Sequence, residues 1–317
     1  MGQDIINNHK GKTMKATYAI SGEKLLQTHF APKRFFLDPL LFDGSLTMIF
    51  AHPGIGKTWF TLWLASALAA GGDFLKWKCP NPTKVFYIDS EMGLRAIRDR
   101  FLQIVKFANF EIQQGMIKFL SPDSLPDMCV PNISTPDGQR IYENEFGDSD
   151  VIVIDNLGSA GAPTGRDNED QAWAKINPWL IKLRQMGKAV IIVHHAGKSG
   201  QQLGSSKKEQ PLDLLIKLSR PFDYSAKDGV RFEIKFDKAR SLTGDAPESI
   251  SAQLNDYGDS MSWHWETLKL FRRARVAKML SLKMTPTEMT SALGISFYEL
   301  RTIMKMIEMG EGFGGEQ

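Results

Sequence analysis

The segment IFAHPGIGKTWF, from Ile49 to Phe60, constrains the fold more than any other part of the chain. It joins the apolar run SLTMIF to a glycine-rich turn and then to the helix-forming run KTWFTLWLASALAA. The letters GKT fit the phosphate-loop pattern G-x-x-x-x-G-K-[ST], although Ala51 replaces the first glycine. A strand, a loop and a helix in this order predict an α/β domain that binds a nucleotide through its phosphates.

Seven consecutive residues are the predicted nucleotide contacts. Backbone N–H groups from Gly54 to Thr58 would face the β-phosphate at the positive end of the helix dipole. Lys57 would reach the β- and γ-phosphates of ATP, and the Thr58 hydroxyl would hold Mg²⁺. The alternative is a chance turn before a core helix. The full set is Pro53, Gly54, Ile55, Gly56, Lys57, Thr58 and Trp59.

The rest of the chain alternates β-rich runs with helical segments up to about residue 237, which is typical of a mainly parallel α/β sheet. Strands are expected at Leu46–Phe50, Val85–Ile88, Ile117–Leu120, Val151–Ile154 and Ala189–Val193, and an antiparallel hairpin at Leu214–Leu218 and Val230–Phe236. Helices are expected at Lys57–Ala70, Gly93–Ala108 and Asn168–Met186, the last with a kink or break at Pro178. The predicted domains are a polar arm at 1–30 with a short helix near Glu23–Gln27, an α/β domain at 31–268 and a helical module at 269–317.

Composition places the chain among ordinary globular proteins. It has 317 residues, of which 42% are hydrophobic and 24% charged, and a net charge of +3 that is too small to indicate nucleic acid by itself. Cys79 and Cys129 stand far apart, which is typical of reduced thiols in a cytoplasmic protein. The longest apolar helix candidate, Trp59–Ala70, is shorter than the ~20 residues that cross a bilayer, and residues 1–15 lack the apolar run of a secretory signal. The expectation is a cytoplasmic protein with no membrane segment.

Two acidic residues stand where strands are expected to end. The apolar run VIVIDN reaches Asp155, whose carboxylate would hold Mg²⁺ together with Thr58. A turn or a helix N-cap is the alternative for this aspartate. The run VFYIDSEMG reaches Glu91, which would polarise a water molecule for attack on the γ-phosphate. The alternative for Glu91 is that it caps the following helix.

A third strand, in AVIIVHHAGKSG, ends at His194 and His195. One imidazole would hydrogen-bond the γ-phosphate and couple hydrolysis to movement of the loop at 197–211, while a structural role is the alternative. That loop is long and polar for a simple connection, and it carries Lys198, Lys207 and Lys208.

The run VRFEIKFDKAR alternates with a period of two, which predicts that Lys238 and Arg240 continue its apolar face. Two cations at the end of such a face must leave the core and meet an anion. The anion is either a surface carboxylate in a salt bridge or the nucleotide of a neighbouring subunit. An arginine supplied in trans accelerates GTP hydrolysis by ~10³–10⁵ in well-studied cases.

Taken in order, the phosphate loop, Glu91, VIVIDN, VHH with its polar loop, and KAR followed by TG resemble the RecA-like ATPases. The resemblance is to RepA-type plasmid helicases and related AAA family ATPases of mobile elements, with DnaB-type replicative helicases more distant, and it covers about residues 35–244. It implies a RecA-like parallel sheet flanked by helices and a homo-oligomeric ring, a hexamer in the RepA type, with ATP between subunits. The departures from the family pattern are Ala51, Leu203 and Pro211.

The resemblance also implies roles for individual residues. The catalytic set is Glu91, His194 (ranked ahead of His195), Lys238 and Arg240. The metal site is Thr58 with Asp155. The loops after Asp155 and His195 would contact DNA, and LGSSKKE resembles the Gly-Ser loop of the family. The candidate DNA contacts are Lys198, Ser205, Ser206, Lys207 and Lys208.

The segment at 285–308 is typical of a helix-turn-helix. Thr285 and Glu288 form a capping-box pattern, Gly294 marks the turn, and Ser296 is placed to cap the second helix. Residues 271–310 contain 7 Lys and Arg and 3 Glu, a local net charge of +4 that suits DNA. A protein–protein contact is the alternative for this module.

The sequence therefore predicts an ATP-hydrolysing enzyme that uses ATP and Mg²⁺ and associates with DNA. The first hypothesis is a motor on single-stranded DNA, such as a replicative helicase of a plasmid or mobile element. The alternative is an ATP-switched DNA-binding, regulatory or recombination-accessory protein that hydrolyses ATP without unwinding. A small-molecule kinase is disfavoured because no acceptor pocket is evident.

Overall fold

A nine-stranded sheet is the centre of the fold, and the apolar runs of the sequence are its buried strands. The computed structural model describes residues 19–126, 128, 130–160, 166–196, 208–240 and 242–309. The strands of the large sheet are β3 (Leu46–Ala51), β4 (Val85–Asp89), β5 (Ile117–Leu120), β6 (Val151–Asp155), β7 (Ala189–His195), β8 (Leu214–Ser219), β9 (Val230–Ala239), β10 (Ile250–Asp256) and β11 (Met261–Thr267). Two short strands, β1 (Phe35–Leu37) and β2 (Leu41–Phe42), pair with each other.

The strand order is β11-β10-β9-β8-β3-β7-β6-β4-β5, and the six strands from β8 to β5 run parallel. Ala51 pairs with His195 on one side and with Leu218 on the other, while Asp89 pairs with Asp155. The ends of these strands therefore share one border of the sheet, which we call the carboxyl edge. Ligands of open α/β sheets bind at this edge.

Helices cover both faces of the sheet. Helix α1 (Gly22–Gln27) belongs to a separate unit before residue 34. The other helices are α2 (Lys57–Ala70), α3 (Leu94–Ala108), α4 (Pro136–Phe146), α5 (Arg166–Gln185), α6 (Leu268–Ser281), α7 (Pro286–Leu293) and α8 (Phe297–Glu308). One hydrophobic cluster packs α2 and α3 on one face of the sheet, and a second cluster packs α4 and α5 on the other. Successive side chains of a strand point to opposite faces of the sheet and so belong to opposite clusters. The position of a residue in this alternation therefore decides which helix layer its side chain packs against.

The predicted elements of the α/β domain are confirmed with small shifts of their ends. Helix α2 has the predicted bounds, and β8 and β9 are antiparallel as expected. Helix α5 runs continuously through Pro178, so the break allowed for at this residue is absent. The sequence did not predict β1, β2, the β10–β11 hairpin or α4.

A β-bulge corrects the prediction for the end of β9. Phe236 pairs with Ile216 and Lys238 with Leu215, so Asp237 is an extra residue in the ladder. Phe236 belongs to the α2–α3 face, whereas Leu215 belongs to the α4–α5 face. Lys238 therefore does not lie on the apolar face where a strict period of two places it. The one inserted residue turns the side chains that follow it in the strand to the opposite face of the sheet.

The last three helices form a small cluster with its own core and with the predicted caps. Thr285 forms a capping box with Glu288, Ser296 forms one with Glu299, and Gly294 ends α7 with a left-handed conformation. These helices are joined to the sheet, since Asp223, after β8, forms ion pairs with Arg231 of β9 and Arg275 of α6. By their contacts, the described residues from 34 to 309 form one compact unit. The domain boundary near 268 stays a prediction.

The composition led to expectations about the two cysteines and about membrane-spanning segments. Cys79 is a buried free thiol, and burial raises the pKa of the Cys79 thiol to about 12, so it stays protonated. Cys129 lies outside the described residues. Among the helices described, none combines the length and apolar character that a membrane span requires.

Candidate active site

The phosphate loop leaves β3 at Ala51 and enters α2 at Lys57. Gly54 and Gly56 have φ of +75° and +111°, a region that side chains rarely allow. A Cβ at Gly56 would also stand 2.6 Å from Cγ1 of Val230, so this position requires glycine. The loop therefore has the open backbone that a phosphate cradle needs, and Ala51 stays within the strand.

Lys57 is 7% exposed, and its ammonium group lies inside the loop. Its Nζ is 3.3 Å from each of three acceptors, the carbonyl oxygens of Ala51 and His52 and Nδ1 of His195. Burial lowers the pKa of Lys57, while the charges of Asp155 and Glu91 raise it in part. This cation is thus held at the carboxyl edge, where a triphosphate would be neutralised.

Asp155 ends β6 beside the first turn of α2 and is 5% exposed. Tyr87 Oη donates to Asp155 Oδ2 at 2.7 Å, and Thr61 Oγ1 donates to the same oxygen at 3.3 Å. Burial raises the pKa of Asp155, and hydrogen bonds from Tyr87, Thr58 and Thr61 with the charge of Lys57 oppose that rise. A buried carboxylate held in this way is not the exposed turn or helix cap of the alternative.

These residues fit ATP and Mg²⁺. Mg²⁺ prefers oxygen ligands and is usually held by one or two protein oxygens together with phosphate oxygens and water. Thr58 and Asp155 supply such oxygens next to the glycine loop, and a hydrogen bond joins their side chains. Among the described residues, no three or more His, Cys, Asp or Glu side chains are grouped so as to hold a metal ion.

Glu91 follows β4 and does not cap α3. Asp89 accepts from the backbone N–H groups of Met92 and Gly93 at 2.8 and 3.0 Å, and Asp123 accepts from Leu94 N at 2.9 Å. Those two aspartates, rather than Glu91, satisfy the start of the helix. The structure therefore does not support the alternative in which Glu91 caps α3.

Glu91 instead faces the loop after β6. Ser159 Oγ donates to Glu91 Oε1 at 2.7 Å, and His195 Nε2 lies 3.8 Å from the same oxygen. Burial raises the pKa of Glu91, but hydrogen bonds from Ser159 and Asn156 and the charge of His195 outweigh it, so the net pKa is lowered. Glu91 is consequently a carboxylate at neutral pH, which is the form a base requires.

The two histidines are neighbours on β7, so their side chains lie on opposite faces of the sheet. His195 lies on the side of the candidate site, with Nδ1 near Lys57 and Nε2 3.1 Å from Asn156 Nδ2. His194 is 3% exposed, and its Nε2 is 3.4 Å from Lys208 Nζ. Only His195 is placed among the phosphate-loop residues, because neighbouring side chains of a strand point to opposite faces.

Burial and the nearby Lys57 charge lower the pKa of His195, and Glu91 raises it in part. The ring is therefore neutral near pH 7, with one nitrogen as donor and the other as acceptor.

Lys238 and Arg240 lie at the opposite border of the sheet, the amino edge. Lys238 pairs with Leu215 and Arg240 N donates to Asp213 O at 2.9 Å, both at the start of β8. The phosphate loop adjoins the other end of β8, at Leu218. Lys238 Nζ donates to the carbonyl oxygens of Glu209 and Gln210, and neither cation forms an ion pair with any described residue. The alternative, in which Lys238 and Arg240 form surface salt bridges, therefore finds no carboxylate partner in the part of the chain that is described.

The candidate DNA contacts Lys198, Ser205, Ser206 and Lys207 lie outside the described residues. Lys208 is described and is 2% exposed, beside His194. In this arrangement the Lys208 ammonium group faces the interior rather than a strand of DNA.

Sequence reasoning missed the residues that hold the site together. Tyr87, Thr61, Asn156 and Ser159 contact the candidate metal ligand, base and sensor. Tyr87 and Asn156 lie within the quoted runs VFYIDSEMG and VIVIDN, but none of the four was assigned a role from the sequence. Tyr87 carries the one usable signal, since it lies two residues before Asp89 and so shares that face of β4. The others become visible only when β4, β6 and β7 are placed side by side.

The parallel sheet, the glycine loop with Lys57 and the buried strand-end Asp155 define a RecA-like P-loop ATPase domain. A family model described as AAA domain matches residues 19–201, more than half of the chain, and the protein belongs to this family.

Two solved structures have a similar arrangement. A KaiC-like protein from Pyrococcus horikoshii is 15% identical over 72% of this chain and 94% of its own, with a TM-score of 0.49. The flagellar accessory protein FlaH from Methanocaldococcus jannaschii is 16% identical over 70% of this chain and 90% of its own, with a TM-score of 0.48. No curated protein sequence matches the chain.

Proposed function

We propose that this protein is an ATP-driven motor on single-stranded DNA, similar to the RepA-type helicases of plasmids and mobile elements. The observation that carries the proposal is the division of the catalytic set between two edges of one sheet. Lys57, Asp155, Glu91 and His195 meet at the carboxyl edge, while Lys238 and Arg240 lie at the amino edge. A complete site then needs a second copy of the chain, as in a ring with ATP between subunits.

In the proposed reaction each residue has one task. Glu91 accepts a proton from the water that attacks the γ-phosphate, and Lys57 neutralises the phosphate oxygens. Thr58 and Asp155 hold Mg²⁺, which when bound neutralises charge on the β- and γ-phosphates. Lys238 and Arg240 of a neighbouring copy meet the charge that develops on the transferred group.

His195 is the proposed γ-phosphate sensor in place of His194. Its ring touches Lys57 on one nitrogen and Asn156 on the other, so a shift at the phosphate is passed to the residue after Asp155. The loops that follow Asp155 and His195 are the DNA-contacting loops implied by the resemblance. Hydrolysis would therefore move DNA contacts through His195 and Asn156.

The test is an ATPase assay with and without single-stranded DNA, run beside strand displacement on a forked DNA substrate. A motor is expected to hydrolyse ATP faster with DNA and to displace the strand. The matched control is Glu91→Gln, which keeps shape and hydrogen bonding but removes the base, and should abolish both activities. ATPase stimulation without displacement would favour the alternative of an ATP-switched DNA-binding protein, and wild-type turnover in Glu91→Gln would overturn the choice of base.

A further inference from the structure

A side chain from the turn after β8 is bonded to the backbone of the phosphate loop. Arg220 follows the end of β8 directly, and its Nη2 donates to Gly54 O at 3.2 Å. The two groups meet because β3 and β8 are parallel neighbours, with Ala51 paired with Leu218. Among the described residues, no other side chain bonds to a backbone group of residues 53–56.

This hydrogen bond fixes the direction of an N–H group of the loop. The Gly54 oxygen and the Ile55 N–H group belong to one planar trans peptide unit, so they point in opposite directions. With Arg220 on the oxygen, the Ile55 N–H group points away from Arg220. Within the described part of the chain this N–H group donates to no partner, so it is available to a phosphate oxygen.

Packing alone does not hold this peptide unit in place. Gly54 has a φ of +75°, and glycine has access to many other backbone conformations. A Cβ built at Gly54 would have one described neighbour within 4 Å outside the adjacent residues, which is Arg220 Nη2 at 3.9 Å. The restraint on the peptide between Gly54 and Ile55 therefore comes from the Arg220 hydrogen bond.

Arg220 is itself held in position although its side chain is exposed. Its guanidinium group lies 4.2 Å from the ring centre of Tyr224, a cation–π contact within the same turn. The preceding residue, Asp223, forms ion pairs with Arg231 of β9 and Arg275 of α6. The turn is thus attached to two other elements, and Arg220 meets the loop with little freedom left to lose.

We propose that Arg220 is a positioning residue of the ATP site, which orients the Ile55 N–H group toward the β-phosphate through Gly54. Backbone N–H groups of such a loop bind the β-phosphate, which ADP and ATP share. Arg220 should therefore strengthen the binding of both nucleotides by the same factor. The inference rests on ATP binding in the proposed function and is independent of any contact with DNA.

The test is the binding of fluorescent N-methylanthraniloyl derivatives of ADP and ATP by the full chain. Arg220→Ala is expected to raise Kd for both by about three- to tenfold, the range for the loss of one ordinary hydrogen bond. In ATPase assays the loss should appear in KM rather than in kcat, because the β-phosphate contact is made in the substrate and in the transition state alike.

Matched variants separate the hydrogen bond from loss of charge or of fold. Lys227→Ala removes a cation from an exposed position between β8 and β9 and should bind both nucleotides with the wild-type Kd. Tyr224→Leu removes the ring beside Arg220 and should raise both Kd values, whereas Tyr224→Phe keeps the ring and should leave them unchanged. Thermal unfolding without nucleotide establishes that each variant is folded.

The outcomes distinguish this role from the proposed function. If the wild type binds both nucleotides and Arg220→Ala binds them with the Kd of Lys227→Ala, the positioning role is overturned and the proposed function stands. A loss for ATP alone would place Arg220 at the γ-phosphate, and an equal loss for AMP would place it at the base or ribose. Either result overturns the positioning role. A wild type that binds neither nucleotide would overturn both proposals.

Discussion

At the scale of single residues, the buried hydroxyl of Tyr87 orients the candidate metal ligand. It donates to Asp155 Oδ2 and also lies 3.0 Å from Thr61 Oγ1, which donates to the same carboxylate oxygen. Two hydroxyl groups thereby fix the orientation of the carboxylate. Groups that orient a metal ligand are commonly as important as the ligand itself.

We expect Tyr87→Phe to raise the Mg²⁺ concentration for half-maximal ATPase activity by on the order of tenfold, as for other residues behind a metal ligand. Mg²⁺ titration of the ATPase rate measures this. The matched control is Tyr142→Phe, which removes another buried tyrosine hydroxyl, bonded at 2.8 Å to Pro131 O in the second core. An equal shift in both variants would show that the effect is only a loss of stability.

The hydrogen bond from Ser159 to Glu91 gives a prediction about pH. With Glu91 as the proposed base, the rate should fall as pH drops through the pKa of Glu91. The pKa of Glu91 is lowered in the fold, with Ser159 the first of the groups that lower it. Ser159→Ala should therefore move the acid limb of the kcat profile to higher pH and reduce kcat by about three- to tenfold through lost orientation.

The control for that profile is Ser90→Ala. Ser90 Oγ donates to backbone oxygens of Asp155 and Asn156 and does not contact the Glu91 carboxylate. The acid limb of the kcat profile of Ser90→Ala should stay at the wild-type pH. If the acid limb of Ser159→Ala also stays there, the assigned hydrogen bond from Ser159 to Glu91 is contradicted.

At the scale of elements, an ion-pair cluster ties the C-terminal helices to the sheet. Asp223 pairs with Arg231 of β9 and Arg275 of α6, and both guanidinium groups lie within 5.5 Å of the Phe271 ring centre. Burial raises the pKa of Asp223, but the hydrogen bonds and charges of Arg275 and Arg231 outweigh it, and the net pKa is lowered. This cluster joins α6 to β9 of the sheet.

We expect Asp223→Asn to reduce the free energy of unfolding at pH 7 by about 1–2 kcal/mol, between the values for exposed and buried pairs. Because the folded pKa is below the unfolded value of about 3.9, this contribution is present above that pH and is lost as pH falls through the folded pKa. Urea unfolding at pH 7 and at a pH below the folded pKa of Asp223 measures this difference in the free energy of unfolding. Asp99→Asn, from an exposed pair with Arg98, should have little effect at either pH. An undiminished Asp223→Asn difference at low pH would contradict the charge-based cause.

Elements with a strong local signal were predictable from the sequence, and relations between elements were not. The strand, the loop glycines and the apolar run that follows specify α2, and caps specify α7 and α8. The β10–β11 hairpin was missed although Ile250, Ala252 and Leu254 alternate before a turn at Gly258. The bulge at Asp237 and the face of His195 depend on register across the sheet, which no local pattern encodes.

At the scale of the whole molecule, the phosphate loop and Arg240 of one chain lie at opposite edges of the sheet, so in the proposed ring they would serve different sites. Lys57→Ala and Arg240→Ala should each abolish ATPase activity alone. A mixture of the two should recover about one quarter of wild-type activity, because random head-to-tail assembly joins an intact loop to an intact arginine at one interface in four. Steady-state ATPase assays measure this, and light scattering establishes that mixed assemblies form. Mixed assemblies without recovery would show that Arg240 does not act in trans.

The division of the proposed site between two edges would also make the proposed ring directional, because each copy would contribute a different surface to each of its two neighbours. A closed ring of such copies has as many complete sites as subunits, while an open chain of them always has one site fewer. Dilution that opens rings would thus lower the activity per subunit before any single chain unfolds. The specific activity of this protein should consequently rise with its own concentration and level off where closure is complete.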